Sequence, residues 1–325
     1  MECHWSDTAA PTGLPAPLPQ SAAYATALTA LGRRVIHARL TDSGRDLAQA
    51  QLILRSAGRL GTLAYLPRGP VWAQPPSPAQ QRTTLHLLRH TLPALGPVAL
   101  IANAETPYQD TAHHTLGHSA LITPQHIATL DLRPDDDTRL ATQNPKWRNH
   151  LRAAGRKGLR IMNAPLPPDP DHWLLRAEAK QRSIRRYANL PLSLPLTLSR
   201  LAPHQTRIFT AWVGETPIAA MLFLLHPPQA SYHIGWTGPQ GRAASAHHLL
   251  LWHASLWLRS KKITGLDLGT LETDINPGLA RFKIGSGATA RPLGHTWLDA
   301  PLVTPLGRLL RPARRLKCGG GATIS

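Results

Sequence analysis

Hydrophobic and polar residues alternate along the first half of the chain in two periods, which predict a mixture of strands and helices. A period of two predicts strands at 34–40, 48–55, 60–66, 98–102 and 129–132. A period of three to four predicts helices at 24–31 and 77–95, with Ser77 as the N-cap of the second. The Pro-rich first 23 residues are expected to be irregular, and a loop is expected at 103–108.

The same two periods return in the second half of the chain. They predict a helix at 172–188, an irregular Pro-punctuated stretch at 190–195, a hairpin of strands 206–213 and 216–226, a strand at 232–236 and a short strand at 266–270. This order of elements predicts an α/β (α+β) fold in which mixed, mostly antiparallel sheets are flanked by helices.

A glycine-rich turn leads from strand 232–236 into a helix whose apolar residues begin at Leu249. Gly241 and Arg242 belong to this turn, and Ser245 is the expected N-cap of the helix. Unpaired N–H groups at such a helix start can hold a phosphate or a carboxylate. An ordinary strand-to-helix turn is the alternative.

Acidic and basic residues then cluster at a strand end. Asp267 lies in the short strand, Glu272 follows it, and a turn at Pro277 leads into the run Arg281-Phe282-Lys283. Open α/β sheets bind ligands at such strand ends. The clustering therefore predicts an active site here.

This stretch resembles the C-terminal half of the FemAB-like aminoacyltransferases, which belong to the wider Gcn5-related N-acetyltransferase (GNAT) fold and its acetyltransferase 6 relatives. The resemblance rests on Leu266-Asp267-Leu268-Gly269, on Gly278-Leu279-Ala280-Arg281-Phe282-Lys283, and on Gly285 and Gly287. It implies two tandem GNAT-like halves. It also implies that Phe282 and Lys283 lie beside the acyl-transfer centre, where the lysine stabilises negative charge.

A second segment, 146–158, resembles a basic helix that closes the first half in this family. Relatives use bases near this helix to hold acceptor phosphates, which implies an acceptor site at Lys146, Arg148, Arg152 and Lys157. A solvated basic helix face is the alternative. Arg68 and Trp72 lie on an expected exposed loop that resembles the family's cleft rim. For these two residues, a plain turn with a buried tryptophan is the alternative.

The site hypothesis assigns three groups of residues. The catalytic group is Lys283, Phe282, Asp267 and Glu272. The donor-binding group is Arg281, Gly241, Arg242, Ser245 and Tyr232. The acceptor-binding group is Lys146, Arg148, Arg152, Lys157, Arg68 and Trp72. Asp267 and Glu272 are open to either a catalytic role or a capping or salt-bridging role. No metal site is expected, because His113, His114 and His118 on one loop seldom supply ligand geometry.

Charge narrows the class of partner. The 325 residues carry 36 Lys and Arg against 18 Asp and Glu, a formal net charge of +18. Such a field attracts polyanions such as tRNA, a nucleotide or an anionic membrane face. The alternative is that the net charge only reflects a GC-rich genome, which encodes many arginines. The cysteines, Cys3 and Cys318, provide no disulfide framework, which favours a reducing cytosol.

The chain is long enough for two domains. We expect an N-terminal GNAT-like half at 1–160, a C-terminal acyltransferase half at 161–302, and a basic tail at 303–325 whose interleaved leucines and arginines suit an anionic membrane surface. Neither a secretory signal nor a membrane span is expected. A cytoplasmic protein, peripheral at the inner face of the membrane, fits best.

The resemblance implies N-acyl transfer from acyl-CoA or aminoacyl-tRNA to an amine of an anionic acceptor such as a cell-wall precursor, with no tightly bound cofactor. The chain lacks the long charged helical hairpin of the best-known FemAB enzymes, so the donor stays open. A non-catalytic basic protein that binds nucleic acid or anionic membrane is the alternative function. An inactive GNAT-like scaffold is a third.

Overall fold

A computed structural model describes residues 1–8, 13–56, 58–94, 96–185 and 190–301. Its helices, in chain order, are α1 (Ala22–Ala30), α2 (Pro78–His90), α3 (Pro107–Leu116), α4 (Asp136–Thr142), α5 (Pro145–Gly155), α6 (Trp173–Arg185), α7 (Ser193–Leu201), α8 (Pro239–Ala243), α9 (Ala246–Ser260) and α10 (Pro277–Gly285). Its strands are β1 (Glu2–Ser6), β2 (Arg34–Asp42), β3 (Arg45–Ser56), β4 (Thr62–Leu66), β5 (Val71–Trp72), β6 (Val98–Asn103), β7 (Ser119–Ile122), β8 (His126–Asp131), β9 (Arg160–Ala164), β10 (Thr206–Val213), β11 (Thr216–His226), β12 (Gln229–Thr237), β13 (Gly265–Thr270), β14 (Thr289–Pro292) and β15 (Thr296–Asp299).

The first sheet has eight strands within the described residues, in the order β1-β2-β3-β4-β6-β15-β7, with β5 paired to β3. Strands β4 and β6 run parallel, and β2 and β3 form a long antiparallel hairpin. Alternate residues of this hairpin, such as Ile36, Leu40 and Leu52, are buried against α2 residues such as Leu88. Burial of these side chains stabilises the fold by about 25 cal/mol per Å² of apolar surface removed from water.

The second sheet has seven strands within the described residues, in the order β14-β8-β13-β12-β11-β10-β9. Strands β12 and β13 are parallel neighbours connected through α8 and α9, and the other pairs are antiparallel. Phe209 and Phe223 on the sheet and Leu250 on α9 are fully buried in the largest apolar cluster. The β12-α8-α9-β13 crossover therefore places the end of β13 beside the start of α9.

Each sheet takes a strand from the other predicted half. Strand β8 precedes residue 160 but pairs with β13 and β14 of the second sheet, and β15 returns to lie between β6 and β7 of the first. The fold class is confirmed: two mixed sheets are flanked by helices. A division into halves at 1–160 and 161–302 remains a proposal, with one strand exchanged in each direction.

Three local expectations were wrong. Residues Glu2–Ser6 form β1 because they pair with β2, which the Pro-rich composition did not indicate. The polar segment after Pro107 forms α3 instead of a loop, since proline is tolerated at the first helical position. The stretch expected to be irregular at 190–195 contains the start of α7, whose Leu194 and Leu198 pack against α1.

Two other local expectations were confirmed. Ser77 caps α2 in a capping box with Gln80, and the β10–β11 hairpin turns at 214–215. Within the described residues, none of the helices is long and apolar enough to cross a membrane. The basic tail at 303–325 lies outside the described residues.

Candidate active site

The candidate site forms where β13 leaves the second sheet. The register between β13 and β8 shifts between Asp267 and Thr270, and Gly269 has φ +80°, a left-handed conformation that glycine adopts without steric cost. The chain then reaches α10, where the Asn276 side chain accepts a hydrogen bond from the Leu279 amide at 3.2 Å. This turn brings α10 back across the end of β13.

Lys283 lies on the inner face of α10. Only 5% of its surface is exposed, and its Nζ donates to the backbone oxygen of Thr270 at 2.8 Å. Burial lowers the pKa of Lys283 from 10.5 to about 8, although the charges of Asp267 and Glu272 act to raise it. The amine therefore exchanges protons near neutral pH, which suits a group that meets a charge formed during a reaction.

Asp267 is bound on both carboxylate oxygens. Its Oδ1 accepts from the Gly269 amide at 2.7 Å, and its Oδ2 pairs with Arg68 Nη1 at 2.6 Å. Arg68 comes from the turn after β4, so this ion pair joins the two sheets. The expectation that Arg68 lies on an exposed loop was wrong, since 18% of its side chain is accessible.

Glu105 holds the opposite side of the Arg68 guanidinium. Arg68 Nε lies 2.8 Å from Oε2 and Arg68 Nη2 lies 3.1 Å from Oε1, a bidentate pair. Arg291 on β14 also binds Oε1 and donates to the Glu105 backbone oxygen at 2.8 Å. Burial acts to lower the pKa of Arg68, but the charges of Glu105 and Asp267 outweigh it and raise the pKa above its ordinary value.

Phe282 forms part of an aromatic wall beside Lys283. Its ring contacts Trp147 and His248 at centroid distances of 6.0 and 5.2 Å, and its backbone oxygen accepts from Trp147 Nε1 at 3.0 Å. Burial lowers the pKa of His248 to about 4, and the ring stacks on His150. Helices α5, α9 and α10 thus meet at this wall.

The two glycines of the family motif have packing reasons. A Cβ on Gly285 would lie 2.9 Å from Trp147 Cδ1, and a Cβ on Gly287, which has φ +91°, would lie 2.7 Å from Thr142 Oγ1. The glycines allow α10 and the segment after it to approach α4 and α5 closely. The motif therefore includes residues that position Lys283 as well as residues that lie beside it.

The donor-binding candidates lie around α8 and β12. A Cβ on Gly241 would lie 2.3 Å from the Ile218 oxygen, so glycine is needed there for packing against β11. Arg242 is exposed and donates to the Thr237 oxygen at 2.8 Å. Tyr232 packs on Phe223 and lies over Gly235, and Arg281 is exposed on α10.

The N-cap prediction for Ser245 was wrong in its geometry. Ser245 begins α9 in a left-handed conformation with φ +54°, and its hydroxyl makes no capping hydrogen bond. Its Oγ lies 3.1 Å from His150 Nδ1 instead. The serine side chain therefore faces α5, at the start of a 15-residue helix.

The acceptor-binding candidates separate into three environments. Lys146 and Arg152 are exposed on α5 and Lys157 is exposed in the turn after it, while Trp147 and Leu151 on the helix are buried. Arg148 is half-buried and donates to the Leu140 oxygen at 3.1 Å, at the end of α4.

The third environment belongs to Trp72, which lies in β5 and packs on the first core, so the expectation of an exposed loop was wrong for it as well. The structure thus brings Arg68 together with Asp267, whose charge acts on Lys283. It places Trp72 in a separate cluster.

Sequence reasoning missed Glu105 and Arg291. Glu105 follows a buried strand, but its partners are 37 and 186 residues away, and no local pattern links them. His113 and His118 also behave differently from loop residues: both are buried, and their Nδ1 atoms lie 2.9 Å apart. In the described part of the chain, no group of three His, Cys, Asp or Glu side chains is arranged to hold a metal ion.

Comparison with known families places the catalytic candidates in a defined domain. Residues 146–283, from the first lysine of α5 to the lysine of α10, match the family model of the acetyltransferase (GNAT) domain. This span of the chain is therefore similar to an acetyltransferase (GNAT) domain. No curated protein sequence matches the chain.

Solved structures share the fold of this chain over most of its length. FemX is 13% identical with a TM-score of 0.70, over 90% of this chain and 94% of FemX. The C-terminal domain of a protein named as a lysylphosphatidylglycerol synthetase, from Agrobacterium fabrum, is 15% identical with a TM-score of 0.53, over 90% and 91%. A Bacteroides thetaiotaomicron protein of unknown function is 9% identical with a TM-score of 0.53, over 86% and 89%. At these identities the likeness shows the fold alone.

Proposed function

We propose that this protein is an N-acyltransferase that moves an acyl or aminoacyl group from acyl-CoA or aminoacyl-tRNA to an amine of an anionic acceptor, such as a cell-envelope precursor. One observation carries the proposal. Lys283, at the end of the GNAT-matched span, is a buried amine with a pKa of about 8 that donates to a backbone oxygen. A buried lysine destabilises the fold, because burying its charge costs free energy. We therefore assign this lysine a role in a reaction.

The reaction is a direct transfer. The acceptor nitrogen attacks the acyl carbon, an N–C bond forms, and the carbonyl oxygen becomes an oxyanion. The intermediate then collapses, the C–S bond of a thioester or the C–O bond of an aminoacyl ester breaks, and the leaving thiol or hydroxyl takes up the proton that the amine releases. Lys283 stabilises the oxyanion, and Phe282 walls the site. Asp267 and Glu272 set the charge around the lysine.

The donor binds beside the β12-α8-α9 segment in this proposal. Arg242 and Arg281 are exposed cations that can pair with phosphates of either donor. Ser245 stands at the positive end of the α9 dipole, which favours an anion. Gly241 keeps the turn close to β11, and Tyr232 supports the strand that precedes it.

The acceptor binds along the exposed side of α5 and the turn after it, where Lys146, Arg152 and Lys157 attract negative charge. Arg148 joins α5 to α4 through its hydrogen bond to the Leu140 oxygen. A protein of the same fold is named for a phospholipid product, which fits an acceptor at the inner face of the membrane. We propose a cytoplasmic location, with the tail at 303–325 as the proposed membrane contact.

The experiment offers acetyl-CoA, longer acyl-CoAs and charged tRNA with a panel of anionic amines, and detects the new amide by mass spectrometry. Lys283→Met is compared with Lys180→Met, which removes an exposed lysine from the middle of α6. We expect product with one donor class, and loss of product only in Lys283→Met. Salt-labile binding of every polyanion, without product, would instead identify a basic binding protein.

A further inference from the structure

Lys283 is close to Asp267 but does not pair with it. A Cβ placed on Gly269 would lie 3.6 Å from Lys283 Nζ, and the Gly269 amide itself binds Asp267. Yet Nζ donates to the Thr270 oxygen, and within the described residues no carboxylate lies within 4.0 Å of it. The carboxylate that a nearby lysine would ordinarily capture is already bound by Arg68 at 2.6 Å.

Arg68 has this position because it is fixed from the other side. Glu105 binds it through two hydrogen bonds, and Arg291 binds Glu105 through the carboxylate and the backbone oxygen. The planar guanidinium loses less freedom per hydrogen bond than a flexible ammonium, so Arg68 outcompetes Lys283 for the carboxylate. Arg68 also has φ +50°, a left-handed conformation that is costly for arginine and that the surrounding contacts must maintain.

We propose that Arg68 and Glu105 are positioning residues: Glu105 holds Arg68 against Asp267, and Arg68 keeps Asp267 from forming a salt bridge with Lys283. The Lys283 ammonium then remains available to stabilise the oxyanion that forms during the reaction. This inference rests on the proposed acyl transfer for its purpose, but the electrostatic arrangement stands on the contacts alone. It also gives Arg68 a role besides the acceptor binding predicted for it.

Leaving Lys283 without a carboxylate partner favours the transition state over the ground state. A lysine already paired with Asp267 would have to lose that pair when the oxyanion forms, so its charge would stabilise the ground state as well as the transition state. The groups that face Lys283 are Asp267 on β13 and Glu272 after it, with Arg68 behind Asp267. On α9, His247 and His248 contact the neighbouring Phe282.

The test measures how the reactivity of each lysine toward acetic anhydride depends on pH, by mass spectrometry of the labelled full-length chain. In the wild type we expect a midpoint near the pKa of about 8 for Lys283. Arg68→Met frees Asp267 to pair with Lys283, which should raise the midpoint by about one to two pH units. Adding Asp267→Asn removes the freed carboxylate and should return the midpoint to the wild-type value or below. Lys180 serves as the internal control.

Two results would overturn the proposal: a Lys283 midpoint in Arg68→Met equal to that of the wild type, or one in the double variant as high as in the single variant. If Arg68→Met does not fold, Glu105→Gln provides the test, because it preserves the shape of the carboxylate while weakening its hold on Arg68. It should raise the midpoint, and an unchanged midpoint would contradict us. No acyl donor or acceptor is needed, so this result is independent of whether the proposed transfer is observed.

Discussion

Replacing Lys283 by methionine should make the protein more stable and less active. The ordinary pKa of 10.5 falls to about 8 in the folded protein. Each pKa unit corresponds to about 1.4 kcal/mol, so keeping the ammonium inside the fold costs about 3 kcal/mol at pH 7. Methionine retains the apolar stem but loses the hydrogen bond to the Thr270 oxygen, which offsets about 1 kcal/mol. The free energy of unfolding should therefore rise by about 2 kcal/mol at pH 7.

The predicted difference in the free energy of unfolding depends on pH. Between pH 8 and 10.5 the unfolded chain binds more protons at Lys283 than the folded chain, so wild-type stability rises with pH in this window. The advantage of Lys283→Met is thus complete below pH 8 and disappears toward pH 10.5. Urea unfolding at pH 7, 8, 9 and 10 measures it, with Lys180→Met as the control that should show no such trend. A Lys283→Met protein that is less stable than the wild type at pH 7 would show that the buried ammonium does not destabilise the fold.

Two further substitutions and one charge change test other parts of the account. Gly285→Ala should lower the free energy of unfolding by about 1–3 kcal/mol, because the new methyl group meets Trp147 at 2.9 Å; urea unfolding measures it, and unchanged stability would contradict the packing. Ser77→Ala should cost about 1 kcal/mol in the same assay through loss of the α2 cap. Changing Lys146, Arg152 and Lys157 together to Gln should raise KM for an anionic acceptor and flatten its salt dependence with kcat unchanged; a change in kcat alone would place these residues elsewhere in the reaction.

The local hydrophobic periodicity predicted most of the strands and helices. The β2–β3 and β10–β11 hairpins and the capped helix α2 are encoded by neighbouring residues, so pattern and turn chemistry predicted them. Strands β1 and β15 escaped prediction because both are short and are defined by partners that lie far away in sequence. Burial of α7 against α1 likewise depends on a contact between the predicted halves, which a Pro-punctuated stretch does not reveal.

The candidate site was predicted in part for the same reason. The Phe282–Lys283 pair belongs to a motif of adjacent residues, so a resemblance could find it. The partners of Asp267 could not be found this way: Arg68 is 199 residues distant, and it is held in turn by Glu105 and Arg291. Such a network exists only after the turn following β4 meets the end of β13. Sequence therefore indicated which lysine is important, while the structure shows what surrounds it.

The role of Lys283 is tested most directly by the pH–rate profile of acyl transfer, measured as kcat/KM from pH 6 to 10 with the donor class that gives product in the mass-spectrometry experiment. If the ammonium form of Lys283 stabilises the oxyanion, the rate must fall as pH rises through about 8, and the residual rate of Lys283→Met must lack this fall. A wild-type rate that continues to rise through pH 8 would contradict the account, since it would show that the neutral amine, or another group, carries the reaction.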